Sequence, residues 1–243
     1  MRYLYVFPHP DDESFGPALA IANQERKGHE IHLLTLTRGG ATRQRERLGL
    51  TIAEMGEVRL AEMEMVREVL RLASMEVLDY PDGGLDEIDP LLLEAAIASR
   101  IAAIDPDVVV SYPVHGISGH PDHLVAHAAV KGAFAATRER SRRLAFFTLL
   151  PADGPEKVPL RTSRPEQVDC EIDVGEEDVE RARRALDCYE TYAGTIEEHD
   201  PLTRVGRTVY FEIWKERHSP RLRDLGSDER ESKDERRTQN AER

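Results

Sequence analysis

Short apolar runs alternate with longer stretches of helical periodicity through the first two thirds of the chain, and this alternation most constrains the fold. Apolar residues three or four positions apart are typical of helices packed on a core. The predicted strands cover residues 3–7, 30–36, 76–79, 108–111 and 145–150, and the predicted helices cover residues 14–27, 59–73, 90–104 and 121–137. Repeated strand–helix–strand units imply right-handed crossovers. The sequence therefore predicts an α/β fold with a mostly parallel sheet flanked by helices.

The carboxy-terminal third is less regular. Residues 168–174 and 207–214 are predicted strands, with a helix over residues 177–192 between them. The last 25 residues of the 243-residue chain hold seven basic and seven acidic residues and almost nothing apolar. Such a composition favours disorder. We expect one α/β domain over residues 1–218 and a disordered charged tail over residues 219–243.

Charge and composition exclude several classes of protein. A net charge of −13 argues against general binding to nucleic acid, which requires a basic surface. No apolar run approaches the roughly 18 residues of a membrane-spanning helix, and the first run stops at Pro8, too short for a signal peptide. We therefore expect a cytoplasmic protein that binds neither nucleic acid nor membranes. Cys170 and Cys188 form no ligand motif, so histidines and carboxylates would have to hold any metal.

Two histidine–carboxylate clusters each follow a predicted strand. The first is HPDDE, from His9 to Glu13, and the second is HPDH, from His120 to His123. In a doubly wound sheet of order 3-2-1-4-5, strands one and four are neighbours, and ligands bind at their carboxyl ends. The sequence thus predicts that clusters more than 100 residues apart meet at one place.

Imidazole and carboxylate together suit Zn²⁺, and less selectively Fe²⁺, Mn²⁺ or Co²⁺. His9, Asp12 and His123 would supply the three protein ligands of a catalytic zinc site and leave a position for water. The water on such a metal is a usable nucleophile near neutral pH.

The remaining residues of the two clusters suit proton transfer. Asp11 can take a proton from the water, and His120 can stabilise a tetrahedral centre while Asp122 orients its ring. A structural interpretation stays open, because Pro121 and Asp122 also suit a helix amino terminus. Asp11 and its neighbours can likewise cap the first helix.

The two clusters together resemble the signatures of the LmbE-like, or PIG-L, family of metal-dependent N-acetylglucosaminyl deacetylases. The match comprises residues 9–13 and 119–123, with looser agreement at residues 37–40, 59–62 and 81–83. The likeness covers residues 1 to about 137. The resemblance implies a Rossmann-like fold that carries a zinc-dependent amide hydrolase.

The resemblance also implies roles for individual residues. The metal ligands would be His9, Asp12 and His123, the general base Asp11, and the residue that assists the tetrahedral intermediate His120, with Asp122 as its partner. Arg59 would contact substrate, and Asp82 would face the substrate pocket. From the residues alone, Arg59 fits an exposed arginine paired with Glu62 equally well, and Asp82 fits an ordinary turn. The histidine-containing segment common in the family's carboxy-terminal helix is absent from residues 185–189.

The expected function is zinc-dependent hydrolysis of the N-acyl amide, above all N-acetyl, of a small sugar-derived substrate such as an N-acetylglucosamine conjugate. Fe²⁺ or another divalent metal is an alternative to Zn²⁺. Two other functions stay open: a phosphoesterase, which usually assembles two metals, and a non-catalytic carbohydrate-binding protein on the same scaffold. Intact Asp11 and His120 argue against the latter. A homo-oligomer also stays open.

Overall fold

The structure is a computed structural model that describes residues 1–152, 154 and 159–227. Its centre is a seven-stranded sheet of order β3-β2-β1-β4-β5-β7-β6. The strands are β1 (Arg2–Phe7), β2 (Glu30–Thr37), β3 (Ser74–Tyr80), β4 (Val108–Ser111), β5 (Arg143–Thr148), β6 (Cys170–Asp173) and β7 (Thr208–Ile213). The helices are α1 (Pro17–Arg26), α2 (Gln44–Leu48), α3 (Ile52–Leu70), α4 (Pro90–Ile104), α5 (Pro121–Ala136), α6 (Glu176–Asp187), α7 (Ala193–His199) and α8 (Pro201–Val205).

The first five strands run parallel, and the last two are antiparallel additions. β1 pairs with β2 on one side and β4 on the other, while β7 pairs antiparallel with both β5 and β6. The run of valines in β4 is buried throughout, as expected for a strand covered on both faces. The predicted α/β fold with a mostly parallel sheet is confirmed, including the neighbouring positions of β1 and β4.

Helices cover both faces of the sheet. Alternate residues of β1 point to opposite faces, so Tyr5 packs with α1, α3 and α6, whereas Leu4 and Val6 pack with α4 and α5. These two apolar layers bury the sheet and leave its carboxyl edge free for a site. No helix in the described part of the chain is both long and apolar enough to cross a membrane.

The carboxy-terminal third differs from the sequence-based prediction. The helix predicted over residues 177–192 ends at Asp187, and a short 3-10 turn, Glu190–Tyr192, follows it. The next two helices, α7 and α8, were not predicted, because each is too short to show helical periodicity. Both contribute residues to the cavity described below.

The beginning of the predicted tail is part of the fold. Leu222 and Leu225 are 2% and 0% exposed, and the backbone of Leu222 bonds to that of Asp169 and Glu171 beside β6. The prediction of disorder is therefore wrong for residues 219–227. The two leucines bury their side chains despite the charged residues around them. Residues 228–243, the rest of the predicted tail, lie outside the described residues.

Candidate metal centre and its cavity

The two histidine–carboxylate clusters lie together at the carboxyl edge of the sheet. β1 and β4 are neighbouring parallel strands, so the segments that leave them lie side by side. The ring centroid of His9 is 4.8 Å from that of His120 and 5.3 Å from that of His123. One nitrogen from each of these three rings falls within 4.8 Å of the others. The folded chain thus joins residues more than 100 positions apart.

Asp12 lies between two of these rings and is nearly buried. One carboxylate oxygen is 3.4 Å from His9 Nδ1, and the other is 3.3 Å from His123 Nε2. The Tyr112 hydroxyl donates a hydrogen bond to Asp12 Oδ1 at 2.8 Å. Burial alone would raise the pKa of Asp12, but His123 and His9 hold it well below its usual range. Asp12 is therefore an ionised ligand candidate.

In His9 and in His123, a hydrogen bond occupies one ring nitrogen, and the other ring nitrogen lies beside Asp12. His123 Nδ1 lies 2.9 Å from the Gly116 carbonyl oxygen, so it carries the proton and leaves the Nε2 lone pair free. His9 Nε2 lies 3.0 Å from Asp122 Oδ2, which leaves Nδ1 beside Asp12. Metal-ligating histidines are usually oriented by such bonds at the second ring nitrogen. His9 Nδ1, Asp12 and His123 Nε2 thus match the donor set of a catalytic zinc site.

Asp122 supports His9 rather than His120. Its carboxylate accepts hydrogen bonds from His9 Nε2 and from the backbone N–H groups of Gly83 and Leu85. His120 Nδ1 instead accepts the backbone N–H of Asp122, at 3.2 Å. The expected contact between the Asp122 carboxylate and the His120 ring is therefore wrong. His9 is the group that this carboxylate orients.

The pKa values of His9 and His120 shift in opposite directions. Burial by itself would lower the pKa of His9, but hydrogen bonds to Asp12 and Asp122 and the charge of Asp82 raise it to about 10. The His120 residue is exposed, but partial desolvation of its ring, together with the nearby His9 and His123, lowers its pKa. His120 is thus neutral at pH 7, with its proton on Nε2 because Nδ1 accepts a hydrogen bond.

Arg59 is buried beneath the site, where it holds Asp11. Its guanidinium donates to Asp11 Oδ2 at 2.6 Å and to the carbonyl oxygens of Pro10 and Gly39. A side chain at Gly39 would collide with this guanidinium. The Tyr192 ring lies 4.3 Å from the guanidinium carbon. Burial raises the pKa of Asp11, and the Arg59 charge acts in the opposite direction.

The alternative of an exposed Arg59 paired with Glu62 is wrong. Arg59 is 2% exposed, and the Glu62 carboxylate accepts the backbone N–H and the hydroxyl of Thr191 instead. Asp82 does face the cavity, as the resemblance implied. One of its oxygens is 3.3 Å from His9 Nε2, and the other accepts the backbone N–H of Ala41 at 2.7 Å.

A cavity of about 570 Å³ opens from the centre. Seven of the eight residues predicted for the site line it: His9, Asp11, Asp12, Arg59, Asp82, His120 and His123. Asp122 lies behind His9 and is fully buried. The volume is within the range of about 300–1,000 Å³ that is usual for small-molecule sites.

Sequence reasoning missed Tyr112. Its ring stacks on His123, with centroids 4.3 Å apart and planes 9° apart, and its hydroxyl bonds to Asp12. Tyr112 thus contacts two of the three candidate ligands. It directly follows β4, a position at the carboxyl end of a strand where binding residues are expected. This position directly after a strand is the sequence feature from which Tyr112 could have been predicted.

Comparison with a protein-family model identifies the family of the chain. The model, described as PIG-L: GlcNAc-PI de-N-acetylase, matches residues 4–134, more than half of the chain. The chain belongs to the PIG-L family. The recognition made from the two clusters is therefore confirmed.

Curated relatives in this family include several deacetylases. A 1D-myo-inositol 2-acetamido-2-deoxy-alpha-D-glucopyranoside deacetylase of Kineococcus radiotolerans is 34% identical over 58% of this chain and 47% of its own length. A mycothiol S-conjugate amidase of Streptomyces coelicolor is 31% identical over 58% of this chain and 54% of its own length. The chain thus spans about half the length of the curated relatives it matches.

Solved structures share the fold at low sequence identity. The zinc-inhibited form of teicoplanin deacetylase Orf2 is 17% identical, with a TM-score of 0.67 over 93% of this chain and 100% of that one. GalB, the 4-carboxy-2-hydroxymuconate hydratase of Pseudomonas putida, is also 17% identical, with a TM-score of 0.66 over 89% of this chain and 97% of that one. The fold therefore accommodates more than one reaction, and the activity has to be argued from the site.

Proposed function

We propose that this protein is a metal-dependent deacetylase that hydrolyses the N-acetyl amide of a small sugar conjugate. The observation that carries the proposal is the arrangement of His9 Nδ1 and His123 Nε2 on either side of the Asp12 carboxylate. Membership in the PIG-L family and relatives named for acetamido-sugar deacetylation support the choice of an amide substrate.

His9, Asp12 and His123 would hold the metal. Two imidazoles and one carboxylate suit Zn²⁺, and Fe²⁺ or another divalent ion also fits this donor set. A divalent ion bound there lowers the pKa of a coordinated water and polarises a carbonyl oxygen. The Asp122 carboxylate and the Gly116 carbonyl fix the two rings from behind.

The remaining site residues would move protons and bind substrate. Asp11 lines the cavity next to a ligand and is held by Arg59, so it is positioned to accept a proton from the attacking water. His120 has its proton on Nε2 and can donate a hydrogen bond to the oxygen of the tetrahedral intermediate. Asp82 lines the same cavity, where its carboxylate can accept a further hydrogen bond from a sugar hydroxyl. In this arrangement Arg59 contributes mainly through Asp11.

The test is release of free amine from a panel of N-acetylglucosamine conjugates, with metal content measured in parallel. We expect release that a chelator stops and a divalent metal restores. Asp11→Asn should lower kcat by at least about a hundredfold while metal stays bound, because only the base is lost. His123→Ala should instead lose the metal. Asp86→Asn, an exposed position on the same chain, is the matched control and should leave both properties unchanged.

Two results would refute the proposal. The first is amine release that persists undiminished after the metal is removed. The second is full activity in the Asp11→Asn enzyme, which would show that Asp11 is not the general base.

Binding of about one ion per chain separates this site from a two-metal phosphoesterase. Turnover of any substrate separates it from a non-catalytic carbohydrate-binding protein. Cytoplasmic location and homo-oligomerisation stay predictions.

A further inference from the structure

The cavity has an apolar part that hydrolysis of an acetyl amide does not require. We call this part the apolar chamber; it is lined by Phe15, Phe147, Leu149, Leu160, Pro201 and Val205. It belongs to the same cavity as His9, His120 and His123, so one ligand can occupy both ends. Ligand sites are usually apolar around a few orienting polar groups. Here the described lining adds these apolar side chains to the polar groups of the metal centre.

Gly16 brings the chamber close to the metal centre. It lies four residues after Asp12 and has a φ of +151°. A Cβ at Gly16 would lie 2.5 Å from Phe147 Cζ and 3.0 Å from Val205 Cγ2. The absent side chain therefore allows β5, which bears Phe147, and α8, which ends at Val205, to meet at the start of α1. The chamber begins where the HPDDE segment ends.

Among the described residues, His199 and Arg204 are polar groups beside the apolar chamber, and both contact neighbouring residues. His199 lies edge-on to Phe15, with ring centroids 6.5 Å apart. Arg204 lines the cavity and donates a hydrogen bond to the Leu150 carbonyl oxygen at 2.9 Å. A sugar has hydroxyl groups on every side and would leave them unpaired against the apolar wall, which is costly. An apolar substituent would release water from that wall, which is favourable.

We infer that the substrate carries an apolar group beside its N-acylated sugar and that the apolar chamber binds this group. The inference rests on the proposed deacetylase function and specifies its substrate class. Two sources of the group share the same chemistry: an acyl chain longer than acetyl on the amide nitrogen, or an alkyl or aryl aglycone on the sugar. Each buried methylene should strengthen binding by about fourfold until the chamber is full.

The experiment measures binding directly, so it does not depend on turnover. Two series of ligands are titrated by calorimetry: alkyl glycosides of N-acetylglucosamine from methyl to octyl, and N-acyl glucosamines from acetyl to octanoyl. We expect affinity to rise with chain length in one series, which then identifies the source of the apolar group. Amine release from the same compounds is recorded alongside.

A polar substitution of the same size links the effect to the chamber. Val205→Thr keeps the volume and adds a hydroxyl, so we expect about fivefold weaker binding of the longest ligand and unchanged binding of the shortest. Val58→Thr is the matched control, because Val58 lies on α3, outside the cavity lining, and is 38% exposed. Melting temperatures show whether both variants remain folded.

The outcomes separate the two proposals. Binding that does not change with chain length in either series, or a chain-length dependence that Val205→Thr and Val58→Thr alter equally, overturns the apolar chamber as a binding site even if amine is released. Binding that strengthens with chain length in wild type and weakens selectively in Val205→Thr supports the chamber. This support holds even if none of the compounds is hydrolysed, a result that would count against the deacetylase function alone.

Discussion

Tyr112→Phe tests whether Tyr112 positions the candidate metal ligands. The substitution removes the hydroxyl that donates to Asp12 Oδ1 at 2.8 Å and keeps the ring that stacks on His123 at 4.3 Å. Tyr112 is 4% exposed, and burial beside Asp12 raises its pKa well above the usual value, so the hydroxyl stays protonated and donates. The change is therefore confined to one hydrogen bond.

The expected loss follows from the charge of the acceptor. A hydrogen bond to an ionised group contributes about 1.5–3 kcal/mol, and losing a group that supports a metal ligand typically lowers metal affinity by about 10- to 100-fold. The two figures agree, since about 1.4 kcal/mol corresponds to tenfold. We expect the dissociation constant for Zn²⁺ to rise by about 10- to 100-fold in Tyr112→Phe.

Competition with a chromophoric chelator measures this constant, without reference to any substrate. Tyr210→Phe serves as the control, because the Tyr210 hydroxyl makes no hydrogen bond within the described residues. Tyr112→Leu, which also removes the stacked ring, should weaken binding further. If Tyr112→Phe binds Zn²⁺ as tightly as wild type, the hydroxyl does not hold Asp12 for the metal and the argument fails.

Three further predictions concern buried polar and apolar groups. Hydrogen bonds from Arg26 and Asn23 overcome the effect of burial and lower the pKa of Asp178 to about 2. Because the folded-state pKa lies below the unfolded one, this group contributes about 2 kcal/mol above about pH 5 and loses it as pH falls toward 2. Urea unfolding of wild type and Asp178→Asn should therefore give a stability difference that shrinks over this interval; a constant difference contradicts it. Leu225→Ala should cost about 2–4 kcal/mol in the same assay, and an unchanged free energy of unfolding would mean that residues 219–227 do not pack on the sheet. Arg59→Lys should lower kcat more than it raises KM in amine-release kinetics, because lysine cannot make all three guanidinium bonds; a rise in KM alone would indicate direct substrate contact.

The strand–helix–strand units in the first two thirds of the chain could be predicted from the sequence. The valine run of β4 and the proline-initiated α4 have the predicted bounds, because a fully buried strand and a capped helix each leave a local signal. The first five strands have the order 3-2-1-4-5 of the common doubly wound sheet, which was the order assumed from the sequence. This order also explains why two distant clusters were expected to meet.

The errors concern contacts that local spacing cannot reveal. Asp122 was assigned to His120, two residues away, but its carboxylate reaches His9 across 113 positions. Arg59 was weighed against Glu62 on the same helix, whereas its partner Asp11 is 48 positions away. In both cases a buried group pairs with the oppositely charged or hydrogen-bonding group that the folded sheet brings beside it.

The average composition of residues 219–243 concealed the burial of Leu222 and Leu225. Residues 219–243 are strongly charged as a whole, and the average gives no weight to the positions of Leu222 and Leu225. These side chains are buried in the core cluster that also contains Tyr3 of β1 and Cys170 of β6. Only the three-dimensional arrangement of the sheet brings them into that cluster.

The docking of residues 219–227 also affects whether another strand can add to the sheet at β6. Open strand borders invite a strand from another molecule to add on and extend the sheet. Beside β6, the Leu222 N–H and C=O already occupy the Asp169 carbonyl and the Glu171 amide. A second copy of the chain cannot join its backbone to those groups unless this segment is first displaced. Any strand addition that leaves the segment in place must therefore use a different border of the sheet.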